Sequence, residues 1–166
     1  MHEINLKKYS WLANCELGII EKILANENEE KCQILQSMSA YEPRKKWISK
    51  EESKIYKYPV VHSTPKNGPR FVWSSRNDKG FYGIKKIIFG ESGIYNPIID
   101  IDGKYGMSQG AMAIIINDIE EGNKISNFLT SNTFKKISNA CLWSSFRIEW
   151  CMFKDFKKNF YEILDN

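Results

Sequence analysis

A change of hydrophobic period at Tyr58 divides this chain. Before it, Trp11, Leu12, Cys15, Ile19, Ile20, Ile23 and Leu24 recur at three- and four-residue spacing, which predicts a helix over residues 11–25. A second, shorter helix is expected over 29–38, and a third short one over 41–47 with Pro43 in its first turn. The charged stretch 49–57 reads as a connection. From Tyr58 onward, β-rich runs alternate with turn chemistry. Tyr58-Pro59-Val60-Val61-His62-Ser63 and Arg70-Phe71-Val72-Trp73-Ser74 flank Thr64-Pro65-Lys66-Asn67-Gly68-Pro69, and Asn77-Asp78-Lys79-Gly80 makes a further turn. Strands are predicted at 85–89, 97–101 and 111–116, separated by the loops Gly90-Glu91-Ser92-Gly93 and Asp102-Gly103-Lys104-Tyr105-Gly106.

Helical chemistry returns at Asp118-Ile119-Glu120-Glu121, an acid at a cap followed three residues later by another. That helix is expected to run to about Leu129, with Gly122 weakening it by about 1 kcal/mol relative to Ala. Ser131 caps the next helix, whose Phe134, Ile137, Ser138 and Cys141 share one face. The fold class predicted is α+β: a helical N-terminal segment over 1–57, a mainly antiparallel mixed sheet, and C-terminal helices packed on it. Residues 58–166 form the second part, the two together being one compact unit.

Length and composition remove several classes. The chain has 166 residues and a mass of 19.4 kDa, 42% hydrophobic and 27% charged, which fits one globular domain and neither a disordered chain nor a coiled coil. The longest apolar run, 111–116, falls far short of the ~20 residues needed to span a bilayer, so no membrane partner is expected. The first residues, Met1-His2-Glu3-Ile4-Asn5-Leu6-Lys7-Lys8, lack the order of a secretory signal, and a cytoplasmic location is expected. Cys15, Cys32, Cys141 and Cys151 form no Cys-x-x-Cys pair, and His2 and His62 lie near none of them, so the expected state is buried reduced thiols and no metal site.

Charge is unevenly spread. Residues 1–57 carry 10 basic and 9 acidic side chains and residues 111–166 carry 7 of each, whereas 58–110 carry 7 basic against 4 acidic. The same middle stretch holds eight of the ten glycines and four of the five prolines. A basic, loop-rich surface is the expectation.

Three constellations bear on chemistry. Asp100-Ile101-Asp102-Gly103-Lys104 has the Asp/Glu-x-Lys skeleton of PD-(D/E)xK magnesium nucleases, with Glu91 as an upstream acid, and is also ordinary turn chemistry between strands. Gly90-Glu91-Ser92-Gly93 is neither a Walker loop nor G-x-G-x-x-G; it reads as a strand-terminating turn whose amides could also meet a phosphate. Trp143-Ser144-Ser145-Phe146-Arg147 offers hydrogen-bond donors beside aromatics, which also fit a core anchor followed by a helix cap. His62 reads as a strand residue with a satisfied hydrogen bond, and no Ser–His–acid triad follows from spacing.

Lys85-Lys86-Ile87-Ile88-Phe89-Gly90-Glu91-Ser92-Gly93 is followed by Pro97-Ile98-Ile99-Asp100, Tyr105-Gly106-Met107-Ser108-Gln109 and Ala113-Ile114-Ile115-Ile116. Phe128-Leu129-Thr130-Ser131-Asn132-Thr133-Phe134 then leads to Cys141-Leu142-Trp143-Ser144-Ser145-Phe146. This ordered set, over about 58–155, resembles the target-recognition domain of adenine-specific DNA methyltransferases of restriction–modification systems, including fused methylase–endonuclease enzymes. The family's catalytic half carries an Asp/Asn-Pro-Pro-Tyr/Phe motif and a glycine-bearing loop for S-adenosylmethionine. Neither is in this sequence, where no Pro-Pro occurs.

The resemblance therefore implies a reader without its catalyst: sequence-specific recognition of double-stranded DNA, with no cofactor in this chain. S-adenosylmethionine would bind a missing catalytic domain, and a separate methyltransferase or endonuclease subunit is the expected protein partner. Lys66, Arg70, Arg76, Lys85 and Lys86 are the expected phosphate contacts. Ser92, Gln109, Ser144, Ser145 and Arg147 are the expected polar contacts to bases or phosphates. Two alternatives stand beside it: a small magnesium-dependent nuclease built on Asp100, Asp102 and Lys104, and a protein-interaction module whose basic middle docks an acidic partner.

Overall fold

The computed structural model describes residues 13, 15–36, 39–141 and 150–164. Its elements are α1 (Leu17–Ile23), β1 (Ile34–Gln36), β2 (Ile48–Ser49), β3 (Tyr58–Ser63), β4 (Arg70–Ser74), β5 (Lys86–Gly90), β6 (Gly93–Asp100), β7 (Gly106–Met107), β8 (Ala111–Ile115), α2 (Ile119–Thr130) and α3 (Asn132–Ala140). Short 3₁₀ turns lie at Ser39–Tyr41, Trp150–Asp155 and Phe160–Leu164. The fold is α+β, with the strands in two four-stranded sheets, ordered β1-β8-β5-β6 and β2-β4-β3-β7. Among the described residues every strand pairing is antiparallel except β3 with β7.

Side-chain alternation sets the layers. In the first sheet Ile34, Ile114, Ile87 and Ile99 are cross-strand neighbours on one face, and Leu35, Ala113, Ile88 and Ile98 on the other. The first face packs on the helices, where Phe128, Phe134, Phe153, Phe156 and Phe160 form a buried aromatic cluster with Phe89. Ring centroids there are 5.3 to 5.9 Å apart for Phe89–Phe153, Phe128–Phe160, Phe134–Phe153 and Phe156–Phe160. The second face meets Val61 and Met107 of the other sheet. The outer face of that second sheet is closed by Tyr41, Trp47 and Tyr82 over Val60 and Val72.

The C-terminal helices form as their caps predict. Asp118 Oδ1 accepts from the Glu121 amide at 2.9 Å, and Ser131 Oγ accepts from the Phe134 amide at 3.0 Å. Gly122 has a packing reason: α2 lies so close to β6 that a Cβ there would sit 2.8 Å from Ile99 Cγ2.

The N-terminal segment departs from its prediction. Among the described residues of the expected 11–25 helix, Leu17–Ile23 is helical, and Trp11, Leu12 and Asn14 lie outside the described residues. The expected 29–38 helix is instead a bridge at Lys31 and then β1, which pairs with β8. The expected 41–47 helix is a 3₁₀ turn at Ser39–Tyr41 followed by turns and β2, which pairs with β4. Residues before Tyr58 thus supply an edge strand to each sheet. Among the described residues, no helix is long and apolar enough to cross a membrane.

Candidate nucleic-acid interface

Antiparallel pairing brings three connections to one end of the molecule. The β3–β4 turn carries Lys66, the β5–β6 hairpin turn carries Ser92, and the β7–β8 turn carries Gln109. Hydrogen bonds sew them together. Thr64, itself buried, accepts the Gly90 amide on Oγ1 at 2.8 Å. Asn96 Nδ2 donates to the carbonyls of Pro65 and Lys66 at 2.9 and 3.2 Å. The Glu91 amide donates to the Gly110 carbonyl at 3.3 Å. Lys66, Ser92 and Gln109 are exposed, and so is Arg70 at the start of β4. Tyr95, 52% exposed, stands beside them on β6. Glu91 is the single acid within residues 58–76, 89–97 and 106–112.

The hairpin turn Gly90-Glu91-Ser92-Gly93 pairs Gly90 with Gly93 and is an ordinary strand-terminating turn. Its Gly90 and Glu91 amides already have the protein acceptors just described, so neither is open to a phosphate.

The remaining predicted residues lie elsewhere. Lys86 begins β5 and Lys85 precedes it, with Lys86 about 13 Å of strand from Gly90 at ~3.3 Å per residue. Lys85 is exposed, and its Nζ donates to the Asn117 carbonyl at 3.3 Å. Lys86 cannot serve as a phosphate contact: alternation turns it inward, its exposure is 0%, and its Nζ is 2.6 Å from Asp100 Oδ2 and 3.1 Å from the Ile84 carbonyl. Burial lowers its pKa, and the Asp100 carboxylate offsets part of that shift. Arg76 lies past the far end of β4, ion-paired with Asp78 and stacked over Trp47 at 5.2 Å. That ion pair holds the Asp78 carboxyl below its usual range. Ser144, Ser145 and Arg147, with Trp143 and Phe146, lie outside the described residues.

Asp100, Asp102 and Lys104 do not converge on a metal position. The Asp100 carboxylate is buried and engaged by Lys86, by the Lys104 amide at 2.7 Å on Oδ1 and by the Tyr105 amide at 3.0 Å on Oδ2. Asp102 and Lys104 are exposed, with Lys104 Nζ 5.5 Å from the Tyr105 ring centroid. Asp100 acts as a tie for the turn that delivers β7 to β3. Among the described residues, no group of three or more His, Cys, Asp or Glu could hold a metal ion.

A cleft of about 380 Å³ lies at the start of α2, lined by Asp118, Glu120, Glu121, Lys124, Lys158 and Tyr161 among others. Its acids are the wrong sign for a polyanion. Glu121 is occupied there as an acceptor from Asn117 and Tyr161.

Sequence reasoning missed three residues at the loop end. His62, read as a strand residue with a satisfied hydrogen bond, does have one, its Nδ1 lying 2.8 Å from Ser108 Oγ, and it sits within the cluster. Tyr95 and Asn96 fall between the expected loop 90–93 and the expected strand 97–101, whereas β6 begins at Gly93 and includes both. The turn that follows His62, and the Gly93 and Pro97 that flank Tyr95 and Asn96, were the available signals. Comparison with known protein families and with curated proteins finds no match.

Proposed function

We propose that this protein is a duplex-DNA reader, the specificity module of an adenine-specific DNA methyltransferase or restriction–modification system, which acts beside a catalytic subunit. The observation that supports it is the loop end, where three cross-braced turns hold Lys66, Arg70, Ser92 and Gln109 exposed on one rigid edge. Lysine and arginine there neutralise phosphates and position the duplex. Gln109 offers an amide that pairs bidentately with adenine. The turns are braced by hydrogen bonds that include a buried one at Thr64 and a half-buried one at Asn96, so little ordering entropy opposes docking. Adenine chemistry and S-adenosylmethionine belong to the partner in this reading, and the present chain supplies the address.

Selection from a pool of randomised duplexes, with magnesium present, tests the proposal. A recovered consensus site on intact DNA supports a reader. Binding with cleavage redirects the case to a nuclease, and binding to an acidic protein but to no duplex leaves an interaction module.

A further inference from the structure

The cross-strand register of β3 with β4 slips at His62. Val61 pairs with Phe71 and Ser63 with Arg70, so His62 is the extra residue of a bulge. A bulge re-aims the side chain it carries. Here the imidazole is turned onto the β7–β8 turn, with Nδ1 2.8 Å from Ser108 Oγ. Ser108 is wholly buried, its amide donates to the Val61 carbonyl at 3.0 Å, and its hydroxyl donates to the His62 carbonyl at 3.3 Å. Gly110 closes the other side, where a Cβ would lie 2.6 Å from the His62 carbonyl oxygen.

The hydroxyl has one proton, and a carbonyl only accepts. A His62 carbonyl within reach of that proton favours the Nδ1–H tautomer of neutral His62, in which the Ser108 oxygen accepts from the ring. Nε2 then carries the lone pair. Among the described residues Nε2 has no hydrogen-bond partner, the ring is half-buried, and Gln109 next to Ser108 and Arg70 opposite Ser63 are exposed. A histidine with one nitrogen pinned by a buried hydroxyl and the other left as an acceptor is preorganised to meet a donor.

We propose that His62 is a specificity-determining residue of the loop end, whose Nε2 accepts a hydrogen bond from the exocyclic amine of a cytosine or adenine in the major groove. Those amines are the donors a base edge presents there. This inference rests on the duplex-reading proposal. Ser108 is its positioning residue, and Gln109 and Arg70 supply neighbouring contacts.

The test begins in the free protein, with the ring tautomer of His62 measured by nitrogen-15 NMR. The Nδ1–H form is expected, and an Nε2–H form overturns the inference whatever the DNA result. His62→Asn keeps a donor near the Nδ1 position and removes the outward acceptor, whereas His62→Gln places an amide oxygen near Nε2. On a selected duplex and its single-base-pair variants, His62→Asn should keep the wild-type salt dependence. It should lose roughly ten- to hundredfold discrimination at one base pair, the range that one specific contact supplies. His62→Gln should recover part of that loss. If wild-type protein discriminates and His62→Asn discriminates equally at every position, His62 is not a reader while the duplex-reading proposal stands. If wild-type protein binds no duplex, both fall together.

Discussion

Lys86 and Asp100 face one another across the β5–β6 pair with Nζ 2.6 Å from Oδ2, and both side chains are closed off from solvent at 0% and 1% exposure. Such a pair adds little net stability when intact, because desolvation offsets attraction, yet breaking it strands a buried charge. Asp100 also holds the Lys104 and Tyr105 amides, so it fixes the turn that leads into β7.

Asp100→Ala should therefore cost on the order of 3–5 kcal/mol in urea denaturation. Lys86→Met with Asp100→Asn should cost clearly less than the two single losses added, since no unpaired charge remains and Asn still offers an acceptor. A loss under about 1 kcal/mol for Asp100→Ala contradicts its role as a tie.

Gly122→Ala gives an opposite-sign test of the helix packing. Helix propensity alone favours Ala by about 1 kcal/mol. The added Cβ would lie 2.8 Å from Ile99 Cγ2 and 3.1 Å from Ile116 Cδ1, and overpacking of this kind costs about 1–3 kcal/mol. The substitution should lower the denaturation midpoint; a raised midpoint means that α2 does not lie so close to β6.

Alkaline stability follows from the buried protonated groups. Burial, with a smaller contribution from Glu121, pushes the Cys32 thiol from 9.0 up to about 12. Burial and Glu121 likewise push the Tyr161 hydroxyl up to about 12, and burial raises that of Tyr82. A raised folded pKa gives stability that is complete below the unfolded value and is lost as pH climbs towards the folded one. The stability should thus fall between about pH 9 and pH 12, with Cys32 contributing at most about 4 kcal/mol of the loss. Lys86, with its lowered pKa, works in the opposite sense and shallows the fall. Denaturation of Cys32→Ala across this range should show a flatter decline; an unchanged slope removes Cys32 as a cause.

How far residues alone specify this molecule depends on whether their pairing is local. Most strands after Tyr58 carry their own turn signals, and the caps at Asp118 and Ser131 lie within three residues of the amides they serve, so both were legible. Even so, β6 begins at Gly93 rather than Pro97, and β7 starts within the expected 102–106 loop. Ile34 and Leu35 were misread because their spacing from Cys32 and Met38 also suits a helix. Pairing with β8, about eighty residues away in sequence, decided otherwise. Two sheets rather than one were not legible, since Val61 and Ile88 both read simply as strand core. The site was partly legible: Lys66, Arg70, Ser92 and Gln109 gather at one end, while Lys85, Lys86 and Arg76 do not join them. Period-two alternation does put one of two adjacent lysines inward, but which one depends on the sheet's inner face. The bulge at His62 leaves no trace in residue type.

The central claim is that the loop end, and not the basic residues elsewhere, meets the phosphate backbone. Fluorescence-anisotropy titration of a selected duplex over a range of salt tests it most directly, with Lys66→Ala/Arg70→Ala compared against Lys85→Ala. Each lost phosphate contact lowers the salt slope by about 0.9, so the loop pair should weaken binding and reduce the slope by about 2. Lys85→Ala should leave both unchanged. A slope that drops with Lys85→Ala and holds in the loop double variant, or a wild-type protein that binds no duplex even at low salt, contradicts the account.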